Sequence, residues 1–240
     1  MPKPIILFLA AFVFSMQGAN AQLATSDSLY LETAISRSNK LVSASTMSLL
    51  FNGTEHVGYF RGIKGTAYLE SGEMTPGAIE CGGIWYGIPM LYDLSTDQLI
   101  IKHFNGLYNI ALVSDHVEQF ILHDRVFKNL NNSTVDRKPV TGFHEELYRG
   151  DAISIYVKRK KTLKEESTAH GIEREFIGNS DFILRIDSVY HSVRSKSDFL
   201  DLMGDKRKII GSYLRKNRLK FGKGRELSIL QASKKYDEIR

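Results

Sequence analysis

Between Gly77 and Leu130 the chain runs in short β-branched and aromatic stretches, cut every few residues by Gly, Asn or Asp. That punctuation confines this part of the chain to antiparallel β structure. Ala78 to Cys81 meets Gly82-Gly83, and Ile84-Trp85-Tyr86 follows; then come Ile88 to Leu94, a turn at Ser95 to Asp97, and Gln98 to Phe104. Asn105-Gly106 predicts a tight turn before Leu107 to Val113, and Val117 to Leu122 with Arg125 to Leu130 extends the meander. Glycine pairs and Asn-Gly accept the positive φ of a two-residue hairpin turn, so between apolar runs they predict reversal. Pro89 has no N–H for a ladder, which places it at an edge or a bulge.

The same reading predicts a strand at Met47 to Phe51, a turn at Asn52-Gly53 and a strand at Glu55 to Phe60. Further strand pairs are expected at Phe143 to Arg149 with Ala152 to Lys158, and at Phe182 to Ile186 with Val189 to Val193; the polar run Asn131 to Pro139 reads as a loop. Helical spacing of Leu31, Ala34, Ile35, Leu41 and Val42 predicts a helix over Ser28 to Ser45. After Val193, Ser195 or Ser197 can cap a short helix that stops at Gly204. Asp205 can cap a second helix, striped by Ile209, Ile210, Tyr213 and Leu214, and a third spans Arg225 to Ile239. The expected class is α+β: mainly an antiparallel β meander, sandwich or roll-like, with an N-terminal helix and a basic helical C-terminal tail.

The N-terminus has a basic start at Lys3, ten uncharged residues from Ile5 to Phe14, and a small-x-small end at Ala19-Asn-Ala21. These are the three parts of a secretory signal peptide, so residues 1–21 are expected to be removed. The apolar run rises about 15 Å as a helix, half a bilayer's hydrocarbon thickness. No later segment approaches a membrane span, so the expected organisation is a signal peptide at 1–21, a β-rich body at 22–193 and a basic helical region at 194–240. The expected location is outside the cytoplasm, in the periplasm or at the cell surface. Cys81 is the single cysteine, so no intramolecular disulfide can form. Beside Gly82-Gly83 it reads as a small buried or turn residue rather than a nucleophile.

Charge divides at the same boundary as periodicity. Residues 22–150 carry 10 Lys and Arg against 14 Asp and Glu, whereas residues 151–240 carry 21 against 13. From Lys206 to Arg225 there are nine basic residues and no acid. Lys206, Arg207, Lys208, Arg215, Lys216 and Arg218 surround the stripe of the second helix without interrupting it, so the helix can dock by its stripe and present cations outward. Outward cations suit anionic lipid, lipopolysaccharide phosphate or an acidic partner, each being worth roughly 1 kcal/mol near an anionic surface. Export argues against nucleic acid as the partner.

Leu49-Leu-Phe-Asn-Gly53, Ile63-Lys-Gly65 and Gly87 to Leu94 with Asp97-Gln98 resemble segments of a family of uncharacterised exported proteins. That family is common in Gram-negative bacteria with polysaccharide-uptake outer membranes. The similarity continues through Val157 to Lys160, Val189 to His191 and Leu219 to Phe221. It implies an envelope location and a β-rich fold, and it brings no activity or catalytic residues. Asp27-Ser-Leu29 and Asp187-Ser-Val189 also resemble the short O-glycosylation acceptor of such bacteria.

The chain has no G-x-S-x-G elbow, no H-E-x-x-H pair, no phosphate-binding loop and no dinucleotide fingerprint. On a strand, His144 and Glu146 share a face that one divalent ion could bridge, but no third ligand is evident. His116 and His123 flank a predicted strand beside Asp115 and Asp124. Trp85, Tyr86 and Tyr92, with Phe104 and Tyr108, make an aromatic cluster that reads as core or as a platform for sugar or peptide. The expected role is therefore a non-enzymatic envelope module that binds a protein or glycan, needs no cofactor and is kept near anionic surfaces by its basic residues. The alternative is an exported hydrolase using His116, His123 or His144 with a carboxylate such as Asp93 or Asp115.

Overall fold

The computed structural model describes residues 50–169 and 171–240. The expected signal peptide and the helix over Ser28 to Ser45 lie outside the described residues. The strands are β1 (Gly53–Glu55), β2 (Thr75–Cys81), β3 (Ile84–Asp93), β4 (Gln98–Lys102), β5 (Asn109–Leu112), β6 (Val117–Leu122) and β7 (Arg125–Asn129). Next come β8 (Thr134–Val135), β9 (Lys138–Pro139), β10 (Phe143–Arg149), β11 (Ile153–Thr168), β12 (Gly171–Ile186) and β13 (Val189–Val193). Three helices close the chain: α1 (Lys196–Leu202), α2 (Arg207–Lys216) and α3 (Arg225–Ile239). The thirteen described strands form one sheet, ordered β1-β5-β4-β3-β2-β6-β7-β10-β11-β12-β13-β8-β9. All its pairings are antiparallel except β13 with β8, so the fold is β-rich α+β with a mixed sheet.

Gly82 and Gly83 adopt φ of 58° and 72°, the left-handed pair that joins β2 to β3 as a tight hairpin. Pro89 stands opposite Pro76 across that ladder, outside the rungs to β4 and β6, so neither missing N–H breaks a pairing. Inside the first half of the sheet, Tyr92, Phe120, Phe127 and Phe143 meet edge-on or stacked, with centroids 4.6 to 6.0 Å apart. Aromatic rings packed at these separations contribute beyond their buried area.

A second core lies between β11–β13 and the helices. Ile153, Ile155 and Val157 alternate toward Phe199, Ile210, Leu214 and Ile229, all essentially solvent-free. The helical region is thus sealed onto the sheet by shared apolar surface. Ser195 caps α1 through a complete capping box with Asp198. Asp205 does not cap α2: it sits in a 3-10 turn, Gly204–Lys206, and the helix starts after Lys206 without a side-chain cap. In the α2 stripe Ile210 and Leu214 are buried, whereas Ile209 faces solvent.

Five other expectations are revised. Of the strand expected at Met47 to Phe51, the described residues Leu50 and Phe51 are helical and in a turn. Asn52-Gly53 is no hairpin turn; Gly53 opens β1, whose backbone lies so close to Ala111 of β5 that a Cβ would collide with it. The strand expected at Glu55 to Phe60 ends at Glu55, and the following loop is tied to distant partners instead. Tyr59 donates to Asp93 at 2.7 Å, and the backbone of Lys64 bonds Arg174 and Phe176 of β12. The reversal at Asn105-Gly106 is wider than two residues, closed by His103 N–H to the Tyr108 carbonyl. Finally, β11 and β12 pair over sixteen residues each, well beyond Lys158 and Phe182, because their charged outer halves bridge the sheet to the loop at Lys64.

Candidate functional site

The expected loop at Asn131 to Pro139 is a strap with its own hairpin. Leaving β7, the chain crosses the face of β10, β11 and β12 and sets β8 beside β13, with Val135 facing Tyr190. Asp136 and Arg137, at φ of 50° and 66°, form the two-residue turn between β8 and β9. Leu130, Val140, Tyr156 and Ile183 make a small core beneath it. At its base the Asn131 side chain accepts a hydrogen bond from Gly142 N–H at 2.6 Å. Gly142 has φ of 75° and abuts the Asp97 carboxylate and the Lys158 ammonium, leaving no room for a Cβ.

Between strap and sheet lies a cavity of about 450 Å³, lined by Lys138, His144, Lys158, Lys160, Asp181 and Arg194 among others. Its polar floor is buried: His144 is 3% and Lys158 8% exposed. Nδ1 of His144 lies 3.1 Å from the Gly142 carbonyl oxygen, which can only accept, so Nδ1 carries the proton. Nε2 then presents a lone pair, with no partner among the described residues. Burial first, then the positive charge of Lys158, pushes the His144 pKa down to about 4. Lys158 donates to Asp97 and, at 3.2 Å, to the Thr141 carbonyl; burial still lowers its pKa despite Asp97. Lys160 pairs with Asp181 at 2.8 Å. Lys138 from the strap and Arg194 after β13 carry no ion pair among the described residues. The cavity is therefore cationic overall, and its one buried imidazole is neutral above strongly acidic pH.

Two other grooves lie elsewhere, and the larger is also cationic, with Lys161, Lys223 and Arg225 meeting no acid among the described residues. One, of about 950 Å³, includes Arg159, but Glu145 at 2.6 Å and Glu226 at 3.1 Å hold that guanidinium. The other, of about 470 Å³, runs beside half-buried Trp85 and ends on Lys128, Glu146 and Arg149. Glu146 is engaged by Lys128, Arg149 and the Tyr156 hydroxyl. Held by those three partners, Glu146 is not free to join the open Nε2 of His144 in bridging an ion. Among the described residues no cluster of three or more His, Cys, Asp or Glu could hold a metal.

The structure separates most candidate residues. His116 and His123 sit at opposite ends of β6, about 20 Å apart at strand rise. His144 is two strands away, level with Lys128 and Gln119. Asp93 is fully buried and accepts from Tyr59, Ser95 and Thr96, and Asp115 accepts from Asn131. Tyr86 and Tyr92 belong to the core, and Phe104 and Tyr108 lie on the β4–β5 connection, so no joint aromatic platform forms. Cys81 is buried, and burial followed by Glu118 and Glu80 pushes its thiol up to about 12.

On α2 and its flanks, Lys206 pairs with Asp205 at 2.7 Å and Arg207 pairs with Asp201. Lys208, Arg215, Lys216 and Arg218 are exposed and meet no acid among the described residues. No described helix is long and apolar enough to cross a membrane. The cavity residues Lys138, Lys158, Lys160 and Arg194 escaped the sequence reading. One signal was available: continuing the alternation of Ser154 and Tyr156 puts Lys158 on the same covered face. Comparison with protein-family models, curated proteins and solved structures gives no match.

Proposed function

We propose that the chain is a non-enzymatic, exported cell-envelope module that binds a protein or glycan, with its C-terminal cations holding it beside an anionic surface. The observation that carries this reading is the division of labour on α2. Ile210 and Leu214 are wholly committed to the core, while Lys208, Arg215, Lys216 and the following Arg218 project outward without acidic partners among the described residues. Cations spent on neither packing nor pairing are available to an external anion, at roughly 1 kcal/mol each near a strongly anionic layer. The signal-peptide pattern at 1–21 supports export.

The test is sedimentation of the mature chain with phosphatidylglycerol vesicles and with phosphatidylcholine vesicles. Retention on the anionic vesicles at low salt is expected, with release at about 0.5 M salt, where the screening length falls to a few ångström. Lys208→Glu with Lys216→Glu should abolish it. Equal retention on both vesicle types, or none on either, would contradict the surface role. Mass spectrometry of native material then checks that residues 1–21 are gone.

A further inference from the structure

The cavity under the strap is suited to a ligand of its own. Its volume falls within the range of small-molecule sites, and its walls combine an apolar patch with a few convergent polar groups. Lys138 lines it from the strap and Arg194 from the residue after β13, so two cations from separate segments border the same space. Lys158 and Lys160 are paired with Asp97 and Asp181, so the lining charges without an ion pair among the described residues are Lys138, Arg194 and Arg225 against Asp136.

His144 adds the discriminating feature. With its Nδ1 proton held by the Gly142 carbonyl, the ring can offer the cavity only an acceptor. A bare acceptor beside cations is poorly served by a fully deprotonated ion with no hydrogen to give. It is well served by a hydroxyl on the same molecule.

We propose that the strap cavity binds a small hydroxylated oxyanion, its carboxylate or phosphate between Lys138 and Arg194 and a hydroxyl donated to Nε2 of His144. The inference rests on reading the chain as a binding module, yet it is separable from surface attachment, because soluble ligands need no vesicle.

Calorimetry on the mature chain at low salt tests it with tartrate against succinate, and glycerol 3-phosphate against inorganic sulfate. Within the first pair the carbon skeleton and charge are shared, so only the hydroxyls differ. Tartrate or glycerol 3-phosphate is expected to bind at least about tenfold more tightly than its control, and whichever binds identifies the charged group. Lys138→Ala with Arg194→Ala, both at exposed positions, should lower that affinity at least about tenfold with an unchanged unfolding midpoint. The α2 charge reversals should leave it unaltered, so a failure of vesicle binding and a failure of this site are told apart. Equal binding of tartrate and succinate, full affinity in the double variant, or no binding of either hydroxylated probe at about 10 mM would overturn the assignment.

Discussion

Acid should destabilise this protein through His144 in a way that one substitution removes. The native imidazole protonates only near pH 4, because burial and then Lys158 oppose its charge, while in the unfolded chain it protonates near 6.5. Between those values the unfolded state holds a proton that the native state does not, so the stability tied to this group is complete above pH 6.5. It drains away as pH falls toward 4, then levels off. The separation amounts to roughly 3 kcal/mol in full, and roughly 2 kcal/mol is lost between about pH 7.5 and 5. The charged groups that act on the ring are Lys158, Lys160 and Asp181. Urea unfolding of the native chain and of His144→Gln at both pH values isolates it. The wild-type curve should move to lower urea on acidification by roughly 2 kcal/mol more than that of the variant. If the two proteins respond equally to pH, the imidazole is hydrated in the folded state and the cavity is not the desolvated cationic site described above.

Two further outcomes follow from buried ionisable groups. Arg159→Met strands Glu145, which is 5% exposed, and should cost about 3–5 kcal/mol in urea or thermal unfolding. Glu145→Gln in that background should return much of the loss, and a failure to do so would show that Arg159 acts through packing alone. Cys81, 2% exposed with its thiol raised to about 12, should resist a thiol reagent at about pH 8 in the folded chain and react fully in urea. Rapid labelling of the native protein would place the thiol at the surface.

Much of the local structure was legible because its causes are local. The Gly82-Gly83 turn, the Ser195 capping box and the span Arg225–Ile239 each depend on residues within a few positions of one another. The strap was misread as a plain loop because Asp136 and Arg137 mark a tight turn only once β8 has β13 to lie against. The outer halves of β11 and β12 were missed because strands charged on both faces show no apolar alternation.

By itself, then, the sequence determined the β-rich class, the helical C-terminus and the outward cations of α2, since each follows from short-range periodicity or composition. Only the tertiary structure decided which polar residues matter together. Lys138, His144, Lys158 and Arg194 come from the strap, two strands and the end of β13, and they line one cavity only after the strap crosses the sheet. The same folding drew Tyr92 and Cys81 inward and set His116 and His123 apart. A side chain's chemistry is written in its type, but its neighbours are set by pairings between distant segments.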